Sequence, residues 1–401
     1  MIKEVTLKNF LSFQKETFFF NKAQNIMIGI NGSGKSNFIK AIRLLKEGVS
    51  GLGLKKFVID KLGGYDNIHF KSSEIKGGQS FISLEFVFDC EILRSFGFKF
   101  LDDLRYKIDL FKSPSTSNYY VREEIKNSKG FVYLDFENGV GALNELDKAE
   151  TNYKKTKPVK YHDFIEPTEL ALSKVFDTDR YFVLSTIRKA INEIQVYDYF
   201  DTTPGSNIRK PMLPTSEKIL LPDGTNLPQI LNTIKINSKP SYQKIASMLN
   251  EVNPKFRGFD FNFIGGNIEL MLEEENLDSS IHVSSISDGT LRFLCLLSII
   301  FNPERGKVIC IDEPEVGLHP DMIANVGRGI IEASKMSTML ISTHSENLLN
   351  CFEFENIRVF EKDESNSSKI SSYEKKDFQG WYEEYSIGKM WRNGDLGGNR
   401  W

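Results

Sequence analysis

Cysteine is scarce and scattered in this chain of 401 residues: Cys90, Cys295, Cys310 and Cys351. No two stand at the short paired spacing of a zinc site, and nothing suggests a disulfide framework, so a reduced, cytoplasmic setting is expected. Long apolar runs are missing as well. The most apolar stretch, Leu291 to Phe301, is interrupted by Arg292 and too short to cross a bilayer, while Met1 to Phe10 carries Lys3, Glu4 and Lys8 where a signal peptide would have an apolar core. A soluble protein with no membrane partner is expected. Neither sign of charge dominates: 51 Lys and Arg against 54 Asp and Glu leave a net charge of −3, so nucleic-acid binding would need a local basic patch. No heptad run long enough for a coiled coil appears, nor an internal repeat. What remains is a globular composition, 40% hydrophobic, sufficient for one large or two ordinary domains.

Against that background Gly29 to Ser36 stands out. It reads Gly-Ile-Asn-Gly-Ser-Gly-Lys-Ser and fits the phosphate-binding pattern G-x-x-x-x-G-K-[ST] without a mismatch. Asn25 to Ile28 before it suits a buried strand, and Asn37 to Glu47 after it sets Phe38, Ile42 and Leu45 at helical spacing. Gly29, Asn31, Gly32, Ser33, Gly34 and Asn37 are the expected nucleotide cradle: glycines let the backbone N–H groups curl toward phosphate oxygens, at the positive end of the following helix. Lys35 supplies a cation for the β and γ phosphates, and Ser36 a hydroxyl for Mg²⁺.

Around this loop the chain alternates β-rich and helical stretches. Val5 and Leu7 with Phe18 to Phe20 predict a hairpin, Gly48 to Phe57 a loop, and Asn67 to Lys71 with Phe81 to Phe88 a strand pair turning at Gly77 and Gly78. Leu104 to Phe111 and Phe131 to Phe136 read as further strands, and Lys154 to Lys160, with four lysines, as a solvated loop or a partner contact. Glu169 to Val196 predicts one helix, a lid or lever with Val183, Ile187, Ile191 and Ile194 on its apolar face. Thr202 to Gly224 reads as a long loop, Asn226 to Ile236 and Tyr242 to Glu251 as helices, and Phe259 to Phe263 with Asn267 to Leu272 as a hairpin.

Chemistry returns near the C-terminal end. Lys307 to Glu313 is an apolar strand ending in two carboxylates: Asp312 is placed to hold Mg²⁺ and Glu313 to deprotonate the attacking water. Leu340 and Ile341 lead to Ser342, Thr343 and His344 at the end of another strand, where the imidazole can reach a γ-phosphate. Ser284 to Arg292 precedes a strongly apolar helix. There Ser287 or Asp288 serves as an N-cap, and Ser287, Asp288 and Gly289 offer a second anion-binding surface.

The order of these motifs resembles the ABC-type ATPases of the SMC and RecF kind, and more narrowly the small bacterial ATPases of the AAA family related to OLD-type nucleases. The resemblance rests on Leu7-Lys8-Asn9-Phe10, Gly29 to Ser36, Ser287 to Arg292, Asp312-Glu313-Pro314-Glu315 with Gly317-Leu318-His319-Pro320, and Ser342 to Ser345; Asp223 to Leu227 and the ending Ile387 to Trp391 with Gly397 to Asn399 add to it. It implies an α/β P-loop NTPase with an SMC/RecF-like head. Residues 1–90 and 261–401 would form its two lobes, a β-rich and helical insertion would occupy 91–260, and no long coiled coil is present. It further implies ATP and Mg²⁺ as cofactors and a head-to-tail homodimer, or a higher even-numbered oligomer. In it the Gly29 loop of one chain meets the Ser287 segment of the other, Gly317 to Pro320 crosses the seam, and His344 is the switch histidine. The resemblance leaves three roles: a nucleotide-driven switch for a separate effector, such as a nuclease, in antiphage defence; a RecF-like DNA-binding repair ATPase; and a non-hydrolysing ATP-binding scaffold. Departures are Leu11, where the family often has Arg, Asp288 in the signature where transport relatives have Gly, and the lack of a clear metal-sensing Gln, for which Gln79 and Gln195 are the candidates.

Overall fold

The computed structural model describes residues 1–71, 81–113, 118–144, 158–378 and 386–397. Gly77, Gly78, Gln79, Lys154 to Lys157, Gly398 and Asn399 therefore lie outside the described residues.

The first sheet grows from the N-terminal hairpin. Strands β1 (Ile2–Phe10) and β2 (Phe13–Phe19) pair antiparallel, as the alternation of Val5 and Leu7 predicts. A third strand, β3 (Gln24–Gly29), leaves this sheet and delivers the phosphate loop. The first sheet resumes with β4 (Ile82–Phe88), β5 (Leu104–Lys112), β6 (Tyr119–Asn127), β7 (Val132–Glu137), β8 (Val140–Asn144) and β9 (Pro158–Lys160), in the order β2-β1-β4-β5-β6-β7-β8-β9. The expected 90/91 boundary thus falls between β4 and β5, neighbouring strands of one sheet.

The second sheet holds the motifs. It runs β10 (Ile194–Tyr197), β14 (Val308–Asp312), β15 (Thr338–Ser342), β3, β16 (Ile357–Lys362) and β17 (Ser368–Ser371). All its pairs are parallel except β16 with β17. Parallel strands covered on both faces read as continuous apolar runs, which is what Asn-Ile-Met-Ile, Val-Ile-Cys-Ile and Met-Leu-Ile are. Ile26, Ile28, Ile309, Ile311, Met339 and Ile341 face one core. Met27, Val308, Cys310 and Leu340 face the other, shared with the first sheet. A small third sheet, β11 (Phe256–Ile264), β12 (Asn267–Glu274) and β13 (Ile281–His282), contains the expected hairpin.

Among the described residues, six helices of eleven residues or more pack around the sheets: α1 (Lys35–Ser50), α2 (Phe182–Asn192), α3 (Leu227–Asn237), α4 (Lys239–Val252), α5 (Asp288–Phe301) and α6 (Pro320–Ala333). Phe38 anchors α1: its ring lies 4.4 Å from that of Phe18, 6.5 Å from Phe13 and 6.1 Å from Phe360. Each such pair contributes about 0.5–1.5 kcal/mol beyond area burial, so the helix following the phosphate loop is fixed to both sheets.

Three local expectations are corrected. Residues 67–71 do not pair with β4: Tyr65–Ile68 is a helical turn, only an isolated bridge joins His69 to Phe10, and β4 takes its partners from β1 and β5. Long-range pairing with the existing strands outweighs the local hairpin. The 48–57 segment is mostly helical. Helix α1 continues to Ser50, and Leu54–Lys56 and Phe57–Lys61 form further turns that bury Leu54, Phe57 and Val58. Residues 169–196 are not one helix. The Asp177 carboxylate accepts from the N–H groups of Asp179 and Arg180, a turn that separates the Ala171–Ser173 turn from α2. Ile194 lies in β10, parallel to β14, not on the helix. Helix α2 itself buries Val183, Leu184, Ile187 and Ile191 in the core.

Candidate nucleotide site

The strand register converges the motifs at one sheet edge. Ser342 pairs with Asp312 on one side and Met27 on the other, Tyr197 pairs with Ile311, and Gly29 pairs with Phe360. The C-terminal ends of β3, β14, β15 and β10 therefore meet, where an α/β sheet presents ligands.

The loop adopts the curl its glycines allow. Gly32 and Gly34 have φ of 81° and 116°, and a Cβ on Gly34 would come within 2.3 Å of the Ser368 hydroxyl and 2.9 Å of that of Ser12. Lys35 is buried and donates to the carbonyls of Gly29 at 2.8 Å and Ile30 at 3.3 Å. Burial pushes its ammonium down to about 8, opposed by Glu313, Asp312 and Glu315. The cation thus sits inside the loop facing three carboxylates. The Ser33 hydroxyl oxygen is buried without a hydrogen-bond partner among the described residues. Ser36 and Asp312 line one cavity of about 600 Å³. A cationic loop with an unpaired buried hydroxyl beside a serine and a carboxylate fits a phosphorylated nucleotide with a divalent cation. Asn31 is exposed on the loop, whereas Asn37 turns its amide to Ser12 Oγ at 3.0 Å.

Across from Lys35, Glu313 stands with φ 49° and its N–H donates to Ser342 O and Oγ at 3.2 and 3.0 Å. The Ser342 hydroxyl donates to Asp312 Oδ1. Glu313 Oε1 lies 3.4 Å from His344 Nε2. Burial, then the neighbouring Asp312 and Glu315, raises the Glu313 carboxyl above its ordinary value, which suits a base. Burial first and Lys35 second hold the His344 imidazole down to about 4, so it is neutral near pH 7.

The signature segment makes its contacts elsewhere. Among the described residues no hydrogen bond joins Ser287, Asp288 or Gly289 to the 29–36 loop. Ser287 caps α5, accepting from the Thr290 N–H at 3.2 Å. Asp288 Oδ1 accepts from Arg209 at 2.6 Å, so its carboxylate is turned to that buried guanidinium. Arg209 also donates to the carbonyls of Thr202, Val283, Ser284 and Ile286, fixing the approach to α5. A Cβ on Gly289 would lie 3.1 Å from Gly317 O, so the signature packs directly on the Gly317–Pro320 segment.

Sequence reasoning missed Asp198. It follows β10 and lines the cavity with Ser36 and Asp312, its carboxylate held by Arg43 of α1. The signal was present: Ile-Gln-Val-Tyr-Asp, like Val-Ile-Cys-Ile-Asp, is a strand-forming run closed by aspartate, with Gln195 its one polar interruption. Gln195 is buried within β10, away from the end of the strand.

A family model described as "AAA domain, putative AbiEii toxin, Type IV TA system" matches residues 25–350. The chain belongs to that AAA family. The match spans both motif clusters and the segments between them. Among solved structures, the chain resembles the SMC head bound to the C-winged helix domain of ScpA, with a TM-score of 0.60 at 13% identity over 94% of this chain and 99% of that one. It also resembles the Pyrococcus furiosus SMC head bound to the C-terminal domain of ScpA, with a TM-score of 0.57 at 12% identity over 98% of each chain. The fold is thus the P-loop, ABC-type head of SMC proteins, and no long coiled coil occurs among the described residues. Local sequence similarity joins the family to RecF and SMC proteins. The DNA replication and repair protein RecF of Thermoanaerobacter sp. (strain X514) is 40% identical over 62 residues, 16% of this chain and 17% of that protein. Structural maintenance of chromosomes protein 3 of Saccharomyces cerevisiae is 50% identical over 46 residues, 11% of this chain and 4% of that protein. The chain thus spans less than a fifth of the length of these relatives. No helix among the described residues is long and apolar enough to cross a membrane.

Proposed function

We propose that the protein binds and hydrolyses ATP as a dimerisation switch, cytoplasmic in location, that controls an effector carried on another chain, in bacterial antiphage defence. The observation that carries this reading is the convergence of Lys35, Ser36, Asp312, Glu313 and His344 at one sheet edge. Lys35 and the curled loop bind the phosphates, and His344, neutral and beside Glu313, lies on the γ-phosphate side. Mg²⁺, held by Ser36 and Asp312 with Asp198 close by, would neutralise phosphate charge. Glu313 takes a proton from the attacking water, whose oxygen bonds to the γ-phosphorus as the bond to the ADP oxygen breaks. Ser287 and Gly289 serve the partner's nucleotide. Support for this comes from the lack, among the described residues, of a hydrogen bond between the signature and its own loop and from the packing of Gly289 on Gly317.

The test is ATP turnover by the purified chain and by Glu313→Gln, with ATP affinity measured alongside. Glu313→Gln should keep ATP affinity and lose about two to four orders of magnitude in turnover, the size of a general-base loss. Unchanged turnover in the variant would move water activation to another residue, and a wild-type chain that binds ATP without hydrolysing it would favour a scaffold.

A further inference from the structure

The turn that carries Glu313 is tied to the segment that carries His344 by another carboxylate, that of Glu315. Glu313 occupies the left-handed region at φ 49°, a conformation that costs a non-glycine residue about 1–3 kcal/mol and persists only where its surroundings hold it. Its own N–H is pinned to Ser342. Two residues on, Glu315 Oε1 accepts from both Thr343 Oγ1 and the backbone N–H of His344, each at 2.7 Å. Thr343 is fully buried. The second oxygen, Glu315 Oε2, is buried with no hydrogen-bond partner among the described residues. An unpaired buried acceptor costs about 1–3 kcal/mol, so fold stability alone is a poor reason for a carboxylate here.

We propose that Glu315 is a positioning residue of the hydrolytic site: through Oε1 it fixes the backbone of His344, and so keeps the imidazole against Glu313. The proposal rests on the hydrolytic reading given above. Glu315 touches neither the phosphates nor the attacking water in this role; it acts through His344. Glu315→Ala keeps Lys35, Ser36 and Asp312 and therefore nucleotide affinity, but Thr343 and the His344 N–H lose their tie to the Glu313 turn, which Ser342 alone then holds.

The experiment compares wild type, Glu315→Ala, Glu315→Gln, His344→Ala and the Glu315→Ala/His344→Ala double variant. The readouts are turnover, ATP affinity and hydrogen exchange of the peptide spanning residues 342–346. Glu315→Ala should slow turnover about 10–100-fold, the scale of a small misplacement of a reacting group, with ATP affinity within about threefold. Its 342–346 peptide should exchange faster without nucleotide, because the His344 N–H has lost its acceptor. Glu315→Gln keeps an acceptor and should recover most of the turnover. The double variant should be no slower than His344→Ala alone, since coupled residues do not add. Losses that multiply in the double variant, or exchange at 342–346 unchanged by Glu315→Ala, overturn the proposal. Should Glu315→Ala fail to fold, Thr343→Val and Glu315→Gln carry the test: Thr343→Val removes one tether and should slow turnover less than His344→Ala, and equal turnover to wild type overturns the link. A wild-type chain without ATPase activity removes the hydrolytic reading and this proposal together; an active wild type with additive losses removes this proposal alone.

Discussion

Lys35 is buried among loop carbonyls and opposes the carboxylates of Glu313, Asp312 and Glu315, so its charge has few other uses than to meet a phosphate. Lys35→Ala is expected to abolish ATP binding, read by titration calorimetry; affinity within a few fold of wild type would count against the site. A second residue, in the first sheet, is expected to set a pH dependence of stability. Glu123 is buried, accepts from the Tyr106 hydroxyl at 2.6 Å and from the N–H groups of Ala171 and Leu172, and burial raises its carboxyl from 4.5 to about 7. Between those values the folded chain holds a proton that the unfolded chain has released. The stabilisation is complete below about pH 4.5 and is lost as pH rises through 7, worth about 3 kcal/mol in all. Glu123→Gln should flatten this part of the stability profile, measured as the thermal midpoint between pH 5 and 8; an unchanged slope would assign the dependence elsewhere. Single residues were legible where one short motif fixes a role, as at Lys35, Ser36, Asp312 and Glu313. Arg209 was not, because its partner Asp288 is distant in sequence and only the folded chain brings them together; Asp198 carried the signal of a strand closed by aspartate, but only the fold sets it in one cavity with Asp312.

At the scale of elements, strands that end in chemistry were the most readable: β3, β14 and β15 are short apolar runs with polar groups at their ends, and their parallel packing leaves no other place for those groups. The break inside 169–196 was not readable from period, since α2 and β10 are both apolar and only the Asp177 turn and the vacant edge of β14 separate their fates. The partners of β4 were likewise decided by long-range pairing. Gly34→Ala should lower the thermal midpoint and ATP affinity together, because φ of 116° and the Ser368 contact oppose a methyl group, a strain of about 1–3 kcal/mol; a midpoint equal to wild type would show that the loop can be rebuilt without cost. Asp198→Ala removes the carboxylate at the end of β10 and leaves Arg43 only its bond to the Val196 carbonyl, and should raise the Mg²⁺ concentration for half-maximal turnover about tenfold, the usual effect of losing a group that supports a metal site. An unchanged Mg²⁺ requirement would confine Asp198 to pairing with Arg43.

For the whole molecule, we propose that one chain holds two halves of two different sites. The 29–36 loop lies at the end of β3, and the Ser287–Gly289 segment opens α5 and packs on Gly317. On the reading proposed above, each half is completed by a second copy. Ser287→Arg should therefore leave ATP binding by one chain intact while abolishing both association and turnover. Mixing Lys35→Ala chains with Ser287→Arg chains should restore turnover in part, because one composite site of the heterodimer carries both defects and the other neither. The most direct measurement is sedimentation of the hydrolysis-blocked Glu313→Gln protein with and without saturating ATP and Mg²⁺, beside the same protein carrying Ser287→Arg. A dimer that forms only with ATP and is lost with Ser287→Arg is expected; a Glu313→Gln chain that remains monomeric at saturating ATP and Mg²⁺ would rule out the shared sites.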